Sequence, residues 1–167
     1  MQRSHLIICA LLLGLAGGLV YLLGRGLGKS RIPHPLIGKP APSIEQADWL
    51  QSTAELAQGQ AVILNFWASW CMACRQESFL LERMWQRHRD KLAVVGLAVH
   101  DKHRDARVFA DRYGKNYPLA LDVAGKIGID YGLTGVPETF IIDRQGVVRF
   151  HTTGEVSQEF LRQALNL

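Results

Sequence analysis

At 167 residues the chain is near the usual size of one domain, and without its N-terminal stretch about 130 residues remain for a single core. Its net charge of +4 is unevenly placed: residues 1–35 hold Arg3, Arg25, Lys29 and Arg31 and no acid, which leaves fifteen charges of each sign in 36–167. A neutral domain with no basic motif argues against nucleic-acid binding, which depends on neutralising phosphates.

In chain order, a short flank (1–5) precedes residues 6–23, eighteen residues without a charge and about the minimum that crosses a bilayer as a helix. This run predicts a single membrane anchor. A cleavable signal peptide competes, because Ala16 and Gly18 form a small-x-small pattern, although the apolar run resumes from Leu19 to Leu23. Lipid attachment at Cys9 is disfavoured by the preceding Ile8, and Cys9 otherwise reads as an apolar thiol facing lipid or a partner helix. More basic residues follow the run (Arg25, Lys29, Arg31) than precede it (Arg3), so the positive-inside rule taken alone puts the domain in the cytoplasm.

Residues 24–35 read as a linker, with Pro33 and Pro35, then Pro40 and Pro42, blocking a regular helix, and the domain is assigned to 36–167. AVILNFWA (61–68) and LAVVGLAV (92–99) are continuous apolar runs of the kind that form strands covered on both faces. Between them, Leu81, Met84, Trp85 and His88 recur at helical spacing, predicting a helix over about 72–89 and a parallel βαβ unit. A helix is predicted over 105–113, a strand over 119–122 and a helical segment over 126–131. Strands over 139–143 and 147–151 are joined by Arg144, Gln145 and Gly146, and Ser157 caps a last helix with Phe160, Leu161, Ala164 and Leu165 on one face. This succession predicts an α/β sandwich with a mixed sheet.

Cys71 and Cys74 follow a predicted central strand where a helix begins, and their spacing puts both sulfurs on one side of the first turn. Unpaired N–H groups and partial positive charge at a helix start favour a thiolate at Cys71, the predicted nucleophile, with Cys74 as the resolving thiol. A zinc site would need two more ligands, and the only other cysteine is Cys9; no metal is predicted. Haem attachment would need His where Arg75 stands. A purely structural disulfide remains an alternative, though so small a loop gives little stabilisation.

VILNFWASWCMAC, followed by GVPETFIID and RQGVVRFHTTG, with LIGKPAP at the entry, resembles the CcmG/DsbE family, membrane-anchored thioredoxin-like proteins of bacterial cytochrome c maturation. The likeness runs from about residue 36 to the C-terminus. It implies a thioredoxin-like fold with a central αβ insertion around 103–122, anchored by one helix in the bacterial inner membrane with the domain facing the periplasm, against the charge rule. It implies that Pro137 is a cis-proline facing the sulfurs and that Val136 offers its backbone to an extended peptide. Glu138 would line the groove as an acidic feature, with an exposed strand-edge acid as the alternative, and Trp70 would cover the disulfide.

The same resemblance implies that the redox-active Cys71–Cys74 disulfide is the only redox group, with no added cofactor. Its client would be apocytochrome c or a cytochrome c maturation protein, reduced for haem attachment, and a membrane thiol reductant would donate electrons. Two departures stand out: Asn65 replaces the buried aspartate of ordinary thioredoxins, and Met72 replaces the proline common after the first cysteine. A reductant with another client, such as an oxidase-assembly or spore-envelope protein, and a non-catalytic binding module on the same fold are the alternatives.

Overall fold

The computed structural model describes residues 12–19, 21, 33–51 and 59–166, in two compact units divided between Pro33 and His34. In the first unit, residues 12–19 and 21 are helical. The rest of the 6–23 run, Cys9 included, and residues 24–32 of the linker lie outside the described residues. Among the described residues no helix is long and apolar enough to cross a membrane.

The second unit is built from β1 (Asp48–Gln51), β2 (Ala61–Trp67), α1 (Met72–His88), β3 (Leu92–Val99), α2 (His103–Tyr113), β4 (Leu119–Asp122), α3 (Lys126–Asp130), β5 (Glu138–Ile142), β6 (Val148–Thr153) and α4 (Gln158–Leu165). One six-stranded sheet runs β1-β4-β3-β2-β5-β6. The β2–β3 and β3–β4 pairs are parallel, whereas β1, β5 and β6 join antiparallel. This is a thioredoxin-like α/β fold with a mixed sheet. The central insertion is α2 with β4, and it wedges β4 between β3 and β1.

Period-two alternation explains why the central strands read as unbroken apolar runs. Along β2, Ile63 and Trp67 join the core that contains Cys71, Cys74, Leu81, Phe109 and Leu161, while Leu64 and Phe66 join Tyr131, Phe140 and Val148 on the other side. Along β3, Val94 and Ala98 go to the first core, and Val95, Leu97 and Val99 to the second. Gly96 is forced by crowding: a Cβ there would lie 2.5 Å from Leu119 Cδ2 and 3.0 Å from Trp67 Nε1.

β1 was not expected from the sequence. Its four residues carry little pattern of their own, and long-range side-chain bonds hold it: its own Gln51 Nε2 donates to the carbonyls of Lys115 (2.7 Å) and Tyr117 (2.9 Å), and Arg107 donates to that of Leu50.

Candidate active site

β2 ends at Trp67, and a turn through Ala68, Ser69 and Trp70 delivers Cys71 as the N-cap of α1. Cys71 has extended backbone (φ −83°, ψ 114°), and its Sγ accepts the Cys74 N–H at 3.1 Å. The first turn of α1 holds no acidic residue, so nothing there opposes the positive end of the helix dipole. Cys71 and Cys74 form a disulfide with Cα atoms 5.3 Å apart; Cys71 retains 5% exposure and Cys74 none. An incoming sulfur therefore meets Cys71 first.

A corner between β3 and α2 clamps the turn. The Asp101 carboxylate accepts from the Ser69 N–H at 2.5 Å and the Ser69 hydroxyl at 2.8 Å, while the Trp70 indole donates to the His100 carbonyl at 3.1 Å. His100 adopts left-handed backbone (φ 50°) in this corner. Trp70 stays 61% exposed, a fixed aromatic surface beside Cys71.

Beneath the cysteines lies a buried polar cluster. Glu77, three residues beyond Cys74 on the same side of α1, is fully buried and accepts from Asn65 Nδ2 (2.7 Å) and the Val156 N–H (2.9 Å). Burial pushes its pKa up, and those two donors with the Lys115 charge only partly oppose this. Lys115 is buried over the Trp67 ring (4.7 Å to its centroid) and donates to the Tyr117 hydroxyl at 2.8 Å. Burial lowers the Lys115 pKa to about 7, against the opposing pull of Glu77 and Glu82.

The other flank is a cavity of about 320 Å³ whose lining includes Trp70, His100, Ile129, Leu133, Thr134 and Val136. Val136 leads into Pro137 through a cis peptide bond and packs against both cores. Glu138 is buried behind this wall rather than facing the groove: one carboxylate oxygen accepts from the Thr134 N–H (2.7 Å), the Thr134 hydroxyl (2.6 Å) and the Gly135 N–H (3.0 Å). The second oxygen pairs with His151 Nε2 at 2.8 Å. Burial alone would raise its pKa, but the hydrogen bonds from Thr134, His151 and Gly135 together outweigh it and hold the carboxyl below the usual glutamate value.

The AhpC/TSA family model matches residues 37–151. The chain is 37% identical to the thiol:disulfide interchange protein DsbE of Allochromatium vinosum, across 94% of this chain and 87% of that protein. It is 33% identical to DsbE of Escherichia coli K12, across 94% and 89%. The chain belongs to the DsbE (CcmG) family.

The fold agrees with that membership: the crystal structure of a DsbE-type protein from Chlorobium tepidum superimposes with a TM-score of 0.67 at 29% identity, covering 78% of this chain and 95% of that one. As a DsbE family member the protein is a thiol-disulfide oxidoreductase. The structure brings Trp70, Cys71, Cys74, Val136 and Pro137 to one end of the sheet, with Glu138 turned inward behind them. Sequence reasoning missed Glu77, Lys115, Asp101, His34 and His151. Only Glu77 carried a local signal, its three-residue spacing from Cys74.

Proposed function

We propose that this DsbE family member reduces disulfides of apocytochrome c, or of a cytochrome c maturation partner, outside the bacterial inner membrane. Residues 6–23 are its anchor, residues 24–35 its linker and 36–167 its working domain. The uncharged length of 6–23 and the family membership support the anchor and the extracytoplasmic placement. The observation that carries the chemistry is the asymmetry of the pair: Cys71 caps a helix and keeps some exposure, whereas Cys74 is fully buried.

In the reduced protein, the Cys71 thiolate attacks one client sulfur. The client S–S bond breaks, and its other sulfur leaves with the bonding electrons and takes up a proton. Cys74 then loses its proton and attacks Cys71 Sγ, closing the Cys71–Cys74 bond and expelling the second client thiolate, which is protonated in turn. Two electrons and two protons pass to the client, and a membrane thiol reductant restores the pair. Glu77 is the buried carboxylate placed to take the Cys74 proton, the task Asn65 cannot perform. Trp70 and Val136 frame the approach of an extended client beside Pro137.

Cys74→Ser should trap the mixed disulfide on Cys71, and the trapped proteins should carry CxxCH segments or belong to cytochrome c maturation. Trapping of other proteins alone would remove the cytochrome client while leaving the exchange chemistry. Active alkaline phosphatase fused after Leu167 tests the placement; an inactive fusion beside an active cytoplasmic reporter would reverse it.

A further inference from the structure

The groove wall is held from behind by groups the exchange chemistry does not use. Glu138 sends one oxygen into the Thr134–Gly135 backbone and the other to His151, whose side chain is 13% exposed. The His151 ring packs 4.2 Å from that of His34 and 4.6 Å from that of Phe140. His34 is fixed in its turn: its Nδ1 accepts the Leu36 N–H at 3.3 Å, and its ring lies against Gly132, where a Cβ would sit 3.6 Å from Nε2. The segment from Gly132 to Gly135 is thus braced at one end by His34 and at the other by Glu138. Leu133, Thr134, Gly135 and Val136, which this brace positions, line the cavity beside Trp70.

We propose that His151 is a positioning residue for polypeptide clients: by orienting the Glu138 carboxylate, with His34 packed against it, it sets the Thr134–Val136 wall on which an extended chain is recognised. This deepens the oxidoreductase reading and rests on it. A carboxylate that must accept three hydrogen bonds on one oxygen has little rotational freedom left, and His151 fixes the remaining one. Without His151, the carboxylate can tilt and the exposed Thr134–Gly135 backbone follows it. The sulfur chemistry is left in place, because the hydrogen bonds of Glu138 and His151 run to Thr134, Gly135 and each other and to neither cysteine. The brace therefore governs capture of a long client and not attack on a short one.

The test compares two disulfides on the reduced full-length protein in detergent: a peptide of about ten residues with an internal CxxC disulfide, and hydroxyethyl disulfide, which is too small to span the wall. His151→Leu should lower the second-order rate constant for the peptide about tenfold and leave that for the small disulfide within about twofold. His151→Gln, which keeps a donor to Glu138, should restore most of the peptide rate. Equal loss on both disulfides, or no loss on the peptide, overturns the proposal. If His151→Leu does not fold, His34→Leu carries the same test: it replaces the ring packed against His151, lies outside the cavity lining, and should give a smaller selective loss on the peptide. A wild-type protein that exchanges with neither disulfide refutes the oxidoreductase reading itself, a result distinct from an unchanged ratio.

Discussion

Glu77 beneath Cys74 and Glu138 behind the groove wall are equally removed from water, at 0% and 1% exposure, yet their acidities move in opposite directions. Burial is the largest single influence on both and raises both. Glu77 lies deeper among protein atoms than Glu138, so desolvation weighs more heavily on it, and the two differ in donors as well. Glu77 receives two, from Asn65 and Val156, so desolvation wins; Glu138 receives four, from Thr134 twice, Gly135 and His151, so hydrogen bonding wins. One buried carboxylate is thereby kept ready to hold a proton, and the other is fixed as an anion that organises backbone.

The largest expected effect is on stability. Glu138→Gln replaces an acceptor oxygen by an amide donor facing N–H or O–H groups, and should cost about 2–3 kcal/mol at pH 7, the scale of hydrogen bonds to a charged group. Glu77→Gln should cost less than about 1 kcal/mol. Asn65 Oδ1 has no hydrogen-bond partner, so a rotation of the Asn65 amide lets that oxygen accept from the introduced amide. Urea unfolding of the oxidised proteins measures both. Equal losses would mean that donor number does not separate the two sites.

The second expected effect is a mirrored pH dependence. Glu138 has a lowered folded pKa, so its contribution is fully present above the ordinary glutamate value and is lost as pH falls through the folded value. The stability gap between wild type and Glu138→Gln should therefore close on acidification. Glu77 has a raised folded pKa, so the folded state holds more protons than the unfolded state just above the ordinary value of 4.5, and its burden on stability grows as pH rises through that window. Relative to Glu77→Gln, wild type should lose ground from about pH 4.5 upward, with a slope of at most about 1.4 kcal/mol per pH unit for one proton. Unfolding midpoints from pH 3 to pH 8 measure both gaps, and two gaps that change in the same direction with pH would break the contrast.

This contrast also marks where the sequence is legible. The bounds of β3 and β4 and the Ser157 cap of α4 follow from local patterns, and the structure places them at the expected residues: Leu92–Val99, Leu119–Asp122, and a Ser157 side chain accepting the Phe160 N–H. Asn65 signalled that a carboxylate is missing from β2. Its counterpart sits twelve residues on, in a helix where glutamate is common. Glu138 was expected at the groove because it follows Pro137, but the inward turn of its side chain depends on a loop four residues earlier and on His151, thirteen residues later. β5 pairs with β6 so that Phe140 stands opposite His151, and this register, together with the turn at His34, assembles the brace. Contacts made by tertiary register leave no periodic trace.

Lys115 offers a smaller perturbation of the Glu77 side alone. Its charge favours ionised Glu77, so Lys115→Met should move the Glu77 pKa further up and leave Glu138 unmoved. Carboxyl infrared bands, assigned with Glu77→Gln and Glu138→Gln, read the two sites separately. The same variant should shift the pH profile of mixed-disulfide resolution by Cys74 to higher pH, because an acceptor that holds its proton longer is available later. A Glu138 band moving with that of Glu77 would show that the two sites are coupled rather than independent.

The smallest expected effect lies at a third anchored turn, where the carboxylate is half-buried. Asp101 accepts both bonds from Ser69 and a further one from its neighbour Lys102, three donors against the four of Glu138, and is far less secluded. Water can replace a bond lost there, so Asp101→Asn should cost about 1 kcal/mol or less, against the larger loss for Glu138→Gln. Its local consequence is more specific. With one Ser69 bond replaced by a facing amide, the turn loosens, and the Trp70 indole should leave the His100 carbonyl more often. Hydrogen exchange of the Trp70 indole N–H, followed by NMR, should quicken while the buried Lys115–Tyr117 cluster stays protected. If Asp101→Asn destabilised the protein as much as Glu138→Gln, donor number alone would set the worth of a carboxylate, and burial would not magnify it.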